Sequence, residues 1–239
     1  MTTQQERLQA RLHTIHERIR AACQRARRSP DSVQLLAVSK TQLADQILAA
    51  FAAGQTTFAE NYVQEGCSKI AELRNALPAD QFRAIEWHFI GPQQSNKTRA
   101  VAQDFTWVHS IDRLKIAERL SEQRDIHLPP LQVCLQVNVS SEASKSGLAP
   151  TEVEALAHAV AHLPRLTLRG LMCIPEPTED EALLRARFAL LRHLRDNLNQ
   201  QGLSMDTLSM GMSHDFEIAI EEGATMVRIG TAIFGERHT

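Results

Sequence analysis

The 239-residue chain has almost no net charge, because 26 Lys and Arg face 28 Asp and Glu and leave −2 near neutral pH. A surface for polyanions usually needs a basic excess, so nucleic acid is not an expected partner. The one basic run, RIRAACQRARR, recurs at helical spacing and reads as a solvated helix face. Cysteine is scarce and scattered. Cys23, Cys67, Cys134 and Cys173 form no C-x-x-C pair, so neither a zinc site nor a dithiol motif is suggested. Cys134 and Cys173 fall inside apolar, strand-like runs and read as small core residues. No apolar stretch approaches the ~20 residues of a membrane helix. The opening MTTQQERLQARLH lacks the apolar core of a secretion signal. A cytoplasmic protein with no membrane contact is expected. No Pro/Gly/Ser-rich linker or low-complexity stretch divides the chain, so residues 1–239 are read as one domain.

What is present is a rhythm. Residues 3–28 carry Leu8, Leu12, Ile15, Ile19 and Ala22 at three- and four-residue steps, the mark of an amphipathic helix. After the breaker RSPDS come eight β-rich runs: VQLLAVS, TTFAEN, IEWHFIG, TWVHSI, LQVCLQVNVS, LTLRGLMCI, TLSMG and TMVRIG. Helical patterns alternate with them, and the chain closes on a short TAIFGER. Strand–helix alternation implies parallel strands joined by crossovers. Eight units in this length fit an α/β fold of the (β/α)8 TIM-barrel type, with an extra N-terminal helix. A doubly wound open sheet is the alternative.

In a barrel, chemistry gathers where strands end and helices begin. The unusual residues of this chain fall at such places: Lys40 after the first strand, Asn61 after the second, and His88 and Gly91 at the third. Asn138 and Met172 lie near the ends of the fifth and sixth. Lys40 is the sharpest case, an amine at the tip of the apolar run LLAVSKTQ. It either snorkels to solvent or sits in a pocket as a reactive group.

The segments MGMSHD and RIGTAIFG follow strands seven and eight, where barrels often hold phosphate. Gly211 and Gly230 allow close backbone approach there, and Ser213 and Thr231 can donate hydroxyl hydrogen bonds near a helix start. Ser213 is equally placed to cap the following helix. With phosphate nearby, an amine at Lys40 suits a phosphorylated aldehyde, either pyridoxal phosphate or a sugar phosphate. In TMVRIG, alternation puts Met226 and Arg228 on one face and Val227 and Ile229 on the other. Arg228 then either enters the barrel mouth or pairs with a buried carboxylate.

The blocks LLAVSKTQ, AENYVQE, WHFIGPQQSNK, VNVSSEASKSG, RGLMCIP and SMGMSHDFEIAIEEGATMVRIGTAIFG, in this order and spacing, resemble the pyridoxal-phosphate homeostasis family. That family is related to the barrel domain of alanine racemase, and the resemblance spans nearly the whole chain. It implies an alanine-racemase-like barrel holding pyridoxal 5′-phosphate covalently on Lys40 as a Schiff base. Asn61 and Met210 would lie beside the cofactor. Ser213, Gly230 and Thr231 would hold its phosphate, and Arg228 would face the pyridine nitrogen. Lys145 matches a lysine implicated in handling or releasing the cofactor. Gln93, Ala59 and Cys173 depart from the family's usual residues without removing a cofactor contact.

The chemistry then separates two functions. The cofactor is an electron sink tuned by the group at its ring nitrogen. An arginine there stays cationic and disfavours a second positive charge, which argues for a weak sink. Racemisation also needs a second base, supplied in alanine racemases by a tyrosine that comes with a further domain. The one tyrosine here, Tyr62, follows the second strand. The expectation is therefore a non-catalytic, monomeric carrier and buffer of the cofactor, passing it transiently to apo-enzymes. A low-specificity amino-acid racemase is the alternative, and a Schiff-base aldolase a distant third. His158 and His162, four apart, read as a helix-face pair rather than metal ligands. His88 is either a rim hydrogen-bonding group or a core histidine. Lys97 and Arg99 read by default as a solvated helix start.

Overall fold

The computed structural model describes residues 4–140 and 146–235. Lys145 lies outside the described residues. Helix α1 (Gln4–Arg25) comes first, followed by a single 3-10 turn at Pro30–Ser32. The strands are β1 (Gln34–Val38), β2 (Thr57–Glu60), β3 (Glu86–Phe89), β4 (Trp107–Ile111), β5 (Leu131–Gln136), β6 (Leu166–Met172), β7 (Thr207–Ser209) and β8 (Met226–Ile229). Between them run α2 (Ala44–Ala52), α3 (Val63–Ala76), α4 (Ala79–Arg83), α5 (Thr98–Asp104), α6 (Leu114–Gln123), α7 (Val153–Ala161), α8 (Glu181–Gln200) and α9 (Phe216–Glu221). A one-turn α10 (Thr231–Phe234) follows β8.

All neighbouring strands pair in parallel, in chain order, and β1 pairs with β8 through Leu36 opposite Arg228, so the sheet closes into a barrel. The open-sheet alternative is excluded by that closure. Parallel strands need crossovers, and the crossover helices cover the outside. Alternation then sorts side chains into two cores. Leu35, Ala37, Phe58, Phe89, Val108, Val133, Leu171, Val227 and Ile229 face the helices in one large cluster. Leu36, Val38, Ala59, Ile90, Trp107, Cys134, Met172 and Met226 form a smaller cluster inside the barrel.

Helix α1 joins the outer cluster. Leu8, Leu12, Ile15 and Ile19 are each no more than 4% exposed, and the helix packs against α9, α10 and α2. Burying one such side chain contributes about 1.5–3 kcal/mol, enough to dock a helix whose other face is polar. The helix begins and ends close to its expected span. One short element was not expected, α4. At five residues it is too brief for a 3.6-residue period to register, whereas the one-turn α10 falls in the closing TAIFGER. Strand β5 is also shorter than its apolar run: it ends at Gln136, and Val137 N–H turns to the carbonyl of Met172.

Candidate functional site

Strand β1 ends at Val38, but Ser39 N–H still donates to the carbonyl of Ala59 at 3.0 Å. The chain then turns at once, because Gln42 N–H reaches back to the carbonyl of Ser39 at 3.0 Å. Lys40 is the second residue of that turn, half-buried, and Thr41 is the third. Val38, Lys40, Thr41, Gln42, Gly230, Thr231 and Gly235 line one cavity of about 60 Å³. The amine after β1 and the loop after β8 are thus brought together, as the barrel closure requires. Larger concavities of about 350, 540 and 550 Å³ lie between α7 and α8 and around the strand N-termini. Chemistry outweighs volume in choosing the site, since the small cavity is the one that joins a lysine to the glycine and hydroxyl of β8.

The loop after β7 turns sharply at Gly211, whose φ is +94°. A Cβ there would lie 2.7 Å from Cβ of Ala219, so only glycine lets this loop fold onto α9. Ser213 does not cap α9. The cap residue is Asp215, and its carboxylate accepts from Met212 N–H instead. At Gly230, a Cβ would meet the carbonyl of Val38 at 3.1 Å, which explains how β8 approaches β1 so closely. Thr231 opens α10 and is exposed. Met210 is fully buried in the large outer cluster, and its N–H donates to the carbonyl of Met226. Asn61 follows β2, and its Oδ1 is buried without a hydrogen-bond partner among the described residues. A buried acceptor left unpaired costs about 1–3 kcal/mol, so this atom would gain from a donor on a ligand or water.

Arg228 points into the barrel and is 3% exposed. Nη1 donates to Ser209 Oγ at 2.8 Å and Nη2 to the carbonyl of Cys173 at 2.9 Å. Among the described residues it makes no ion pair with a carboxylate, so the paired-arginine alternative falls; Asp215 acts on it only at longer range. Burial lowers its pKa from the ordinary value, but a guanidinium stays charged in proteins.

Beyond Ser209 a polar chain continues through the barrel. His109 Nδ1 lies 2.8 Å from Ser209 Oγ, and His109 Nε2 lies 2.9 Å from His88 Nδ1. His88 Nε2 faces Glu86 Oε2 at 3.7 Å. Arg228 can only donate, so Ser209 Oγ accepts there and keeps a second lone pair and its O–H for the imidazole of His109. Burial lowers the pKa of both imidazoles, that of His109 strongly, which keeps the pair neutral. His88 is therefore a core histidine, stacked on Trp107 with centroids 5.3 Å apart, and not a rim group.

Other expectations resolve simply. Cys134 and Cys173 are fully buried, and burial pushes their thiols up, that of Cys173 to about 12. His158 Nε2 bonds Gln201 Oε1 at 3.0 Å, and His162 Nδ1 meets the carbonyl of His158 at 2.7 Å. Among the described residues no helix is long and apolar enough to cross a membrane. Sequence reasoning missed His109, Ser209, Glu60 and Lys69. For His109 a signal existed: it shares a face with Trp107 in WVHSI by simple alternation.

Three comparisons bear on this site. The sequence profile of the alanine racemase N-terminal domain matches residues 11–238. A Pseudomonas aeruginosa protein named "Pyridoxal phosphate homeostasis protein" is 62% identical over 223 residues, 93% of each chain. One of the same name from Escherichia coli K12 is 51% identical over 229 residues, 95% of each chain. The solved structure of PipY from Synechococcus elongatus PCC7942 with PLP bound superposes with a TM-score of 0.78 at 39% identity, covering 92% of this chain and all of that one. With its closed eight-stranded barrel, this chain belongs to the pyridoxal phosphate homeostasis proteins, built on the alanine racemase N-terminal domain.

Proposed function

We propose that this protein binds pyridoxal 5′-phosphate through Lys40 and serves as a non-catalytic carrier and buffer of that cofactor. The observation that carries the reading is the cavity shared by Lys40, Gly230 and Thr231. It sets an amine beside a glycine–hydroxyl loop, the donor set that suits an aldehyde bearing a phosphate. Relatives named for pyridoxal phosphate homeostasis and PipY with PLP bound support the same ligand.

In this reading Lys40 would hold the cofactor through its aldehyde. Ser213, Gly230 and Thr231 would hold the phosphate, Asn61 Oδ1 would accept from the bound group, and Arg228 would face the ring nitrogen. Met210, buried one residue before the Gly211 turn, would contribute packing beside it. When bound, the cofactor would supply electron-withdrawing chemistry, and the protein's part is to restrain it. Arg228 is fixed by Ser209 and the Cys173 carbonyl and cannot accept the proton that a strong sink requires. The racemase alternative needs a second base opposite Lys40. Tyr62, 56% exposed at the start of α3, belongs to the rim rather than to a closed site. Apo-enzymes that require the cofactor are the natural transient acceptors, with the protein acting as a monomer in the cytoplasm.

Borohydride reduction of the cofactor-loaded protein, followed by peptide mapping, should find the pyridoxyl group on the Lys40 peptide. Ser213→Ala with Thr231→Ala should weaken pyridoxal phosphate at least about tenfold and spare pyridoxal, since hydrogen bonds to charged groups contribute about 1.5–3 kcal/mol each. Rapid racemisation of L-alanine by the wild type would refute the carrier reading.

A further inference from the structure

The turn that carries Lys40 is held from outside the barrel. Thr41 has φ +64°, a left-handed conformation that a β-branched residue seldom adopts. Such strain persists only where neighbours over-determine it, and the neighbours are specific. Lys69 on α3 donates to the carbonyl of Ser39 at 2.7 Å, to Glu60 Oε1 at 2.9 Å and to Glu65 Oε1. All three ammonium protons are thereby used. Ser39 Oγ donates to the same Glu60 oxygen at 2.6 Å, and Thr41 N–H donates to the same Glu65 oxygen as Lys69. The residues on both sides of Lys40 are thus tied to one ammonium through two carboxylates.

The setting is costly. The Lys69 side chain is 6% exposed and that of Glu60 0%, while Glu60 Oε2 is buried with no hydrogen-bond partner among the described residues. A buried ion pair often adds no stability over an apolar pair of similar volume. Stability alone is therefore a poor account of why two charges sit beneath this turn. Every hydrogen bond that Lys69 makes ends on the turn itself or on a carboxylate that also holds the turn.

We infer that Lys69, Glu60 and Glu65 are positioning residues that clamp the Ser39–Thr41 turn and so aim the Lys40 amine at an aldehyde ligand. The inference rests on the reading of Lys40 as the cofactor lysine. It adds that amine presentation is controlled separately from the phosphate end, which lies on the loops after β7 and β8.

Two probes separate these contributions: pyridoxal 5′-phosphate, which has the aldehyde, and 4′-deoxypyridoxine 5′-phosphate, which has the same ring and phosphate without it. Replacing the pair together, Glu60→Met with Lys69→Met, leaves no lone buried charge. Pyridoxal phosphate should then bind about tenfold or more weakly, a loss of ~1.4 kcal/mol, while the deoxy analogue binds as to the wild type. Glu65→Gln, at a residue whose side chain is 28% exposed, should shift the same ratio in the same direction by a smaller factor, and it decides the matter if the double variant does not fold. Equal losses for both probes, or an unchanged ratio in Glu65→Gln, would overturn the clamp. A wild-type pyridoxyl label away from Lys40 would overturn the cofactor reading and the clamp together. A label on Lys40 with an unchanged ratio would overturn the clamp alone.

Discussion

The Lys69–Glu60 pair and the arginine–glutamate lattice around α9 are made of similar groups in opposite settings. In the lattice, Arg185 on α8 meets Glu181, Glu221 and Glu222, Arg25 on α1 meets Glu221, and Arg192 on α8 meets Glu222. These arginines keep 30–52% of their side chains in water. Hydrogen bonds from Arg185 and Arg25 hold the Glu221 carboxyl below its ordinary pKa. Ionising Glu221 therefore favours the fold. Under the Lys40 turn the balance reverses. Burial raises the Glu60 pKa above its ordinary value despite Lys69 and Ser39, so keeping that carboxylate charged opposes the fold. The outer charges fasten helices to one another. The inner ones fix a backbone turn at an energetic disadvantage, which is the mark of a group retained for geometry.

The largest effect should come from breaking the inner pair on one side. Lys69→Ala leaves Glu60 buried and unpaired, and should cost about 3–5 kcal/mol in urea unfolding at neutral pH. A loss no larger than that of an outer arginine would erase the distinction. Next comes Glu221→Gln, expected to cost at most about 1 kcal/mol at neutral pH, since its partners are partly solvated. Because its folded pKa is depressed, its contribution is present above the unfolded value of about 4.3 and is lost as pH falls through the folded value. The difference between variant and wild type should therefore shrink in unfolding curves taken at increasingly acidic pH. A difference that grows on acidification would mean that the lattice is not what holds Glu221. The smallest effect belongs to Glu17→Gln. Its partner Arg20 lies three residues away on α1, and both side chains are more than half exposed. A change within about 0.5 kcal/mol is expected, and a larger one would show that exposed pairs on α1 act with the lattice.

Much of this arrangement was legible in the sequence where the signal is local. Alternating runs announced the barrel, and period-two patterning placed Arg228 and Met226 on one shared face. Lys40 stood out because a charge ended an apolar strand. The remainder depends on contacts that no short window contains. Ser209 and His109 are 100 residues apart, and nothing near either names the other. Lys69 sits in SKIAELRNAL as an ordinary helix lysine; only the packing of α3 over the ends of β1 and β2 buries it. Glu60 stands at the end of the short run TTFAE, and nothing in that window shows that its carboxylate is buried. Composition leaves His88 open between rim and core, and only its pairing with Ala59 and Trp107 sets it inside the sheet.

The histidine chain beneath Arg228 also sets how the barrel interior responds to acid. Burial lowers the pKa of both imidazoles, so each resists taking up a proton as the pH falls. The Arg228 charge adds to that resistance at His109. Mild acid therefore brings no second cation beneath Arg228, and the electrostatic background of the barrel axis stays constant where a solvated histidine pair would gain charge.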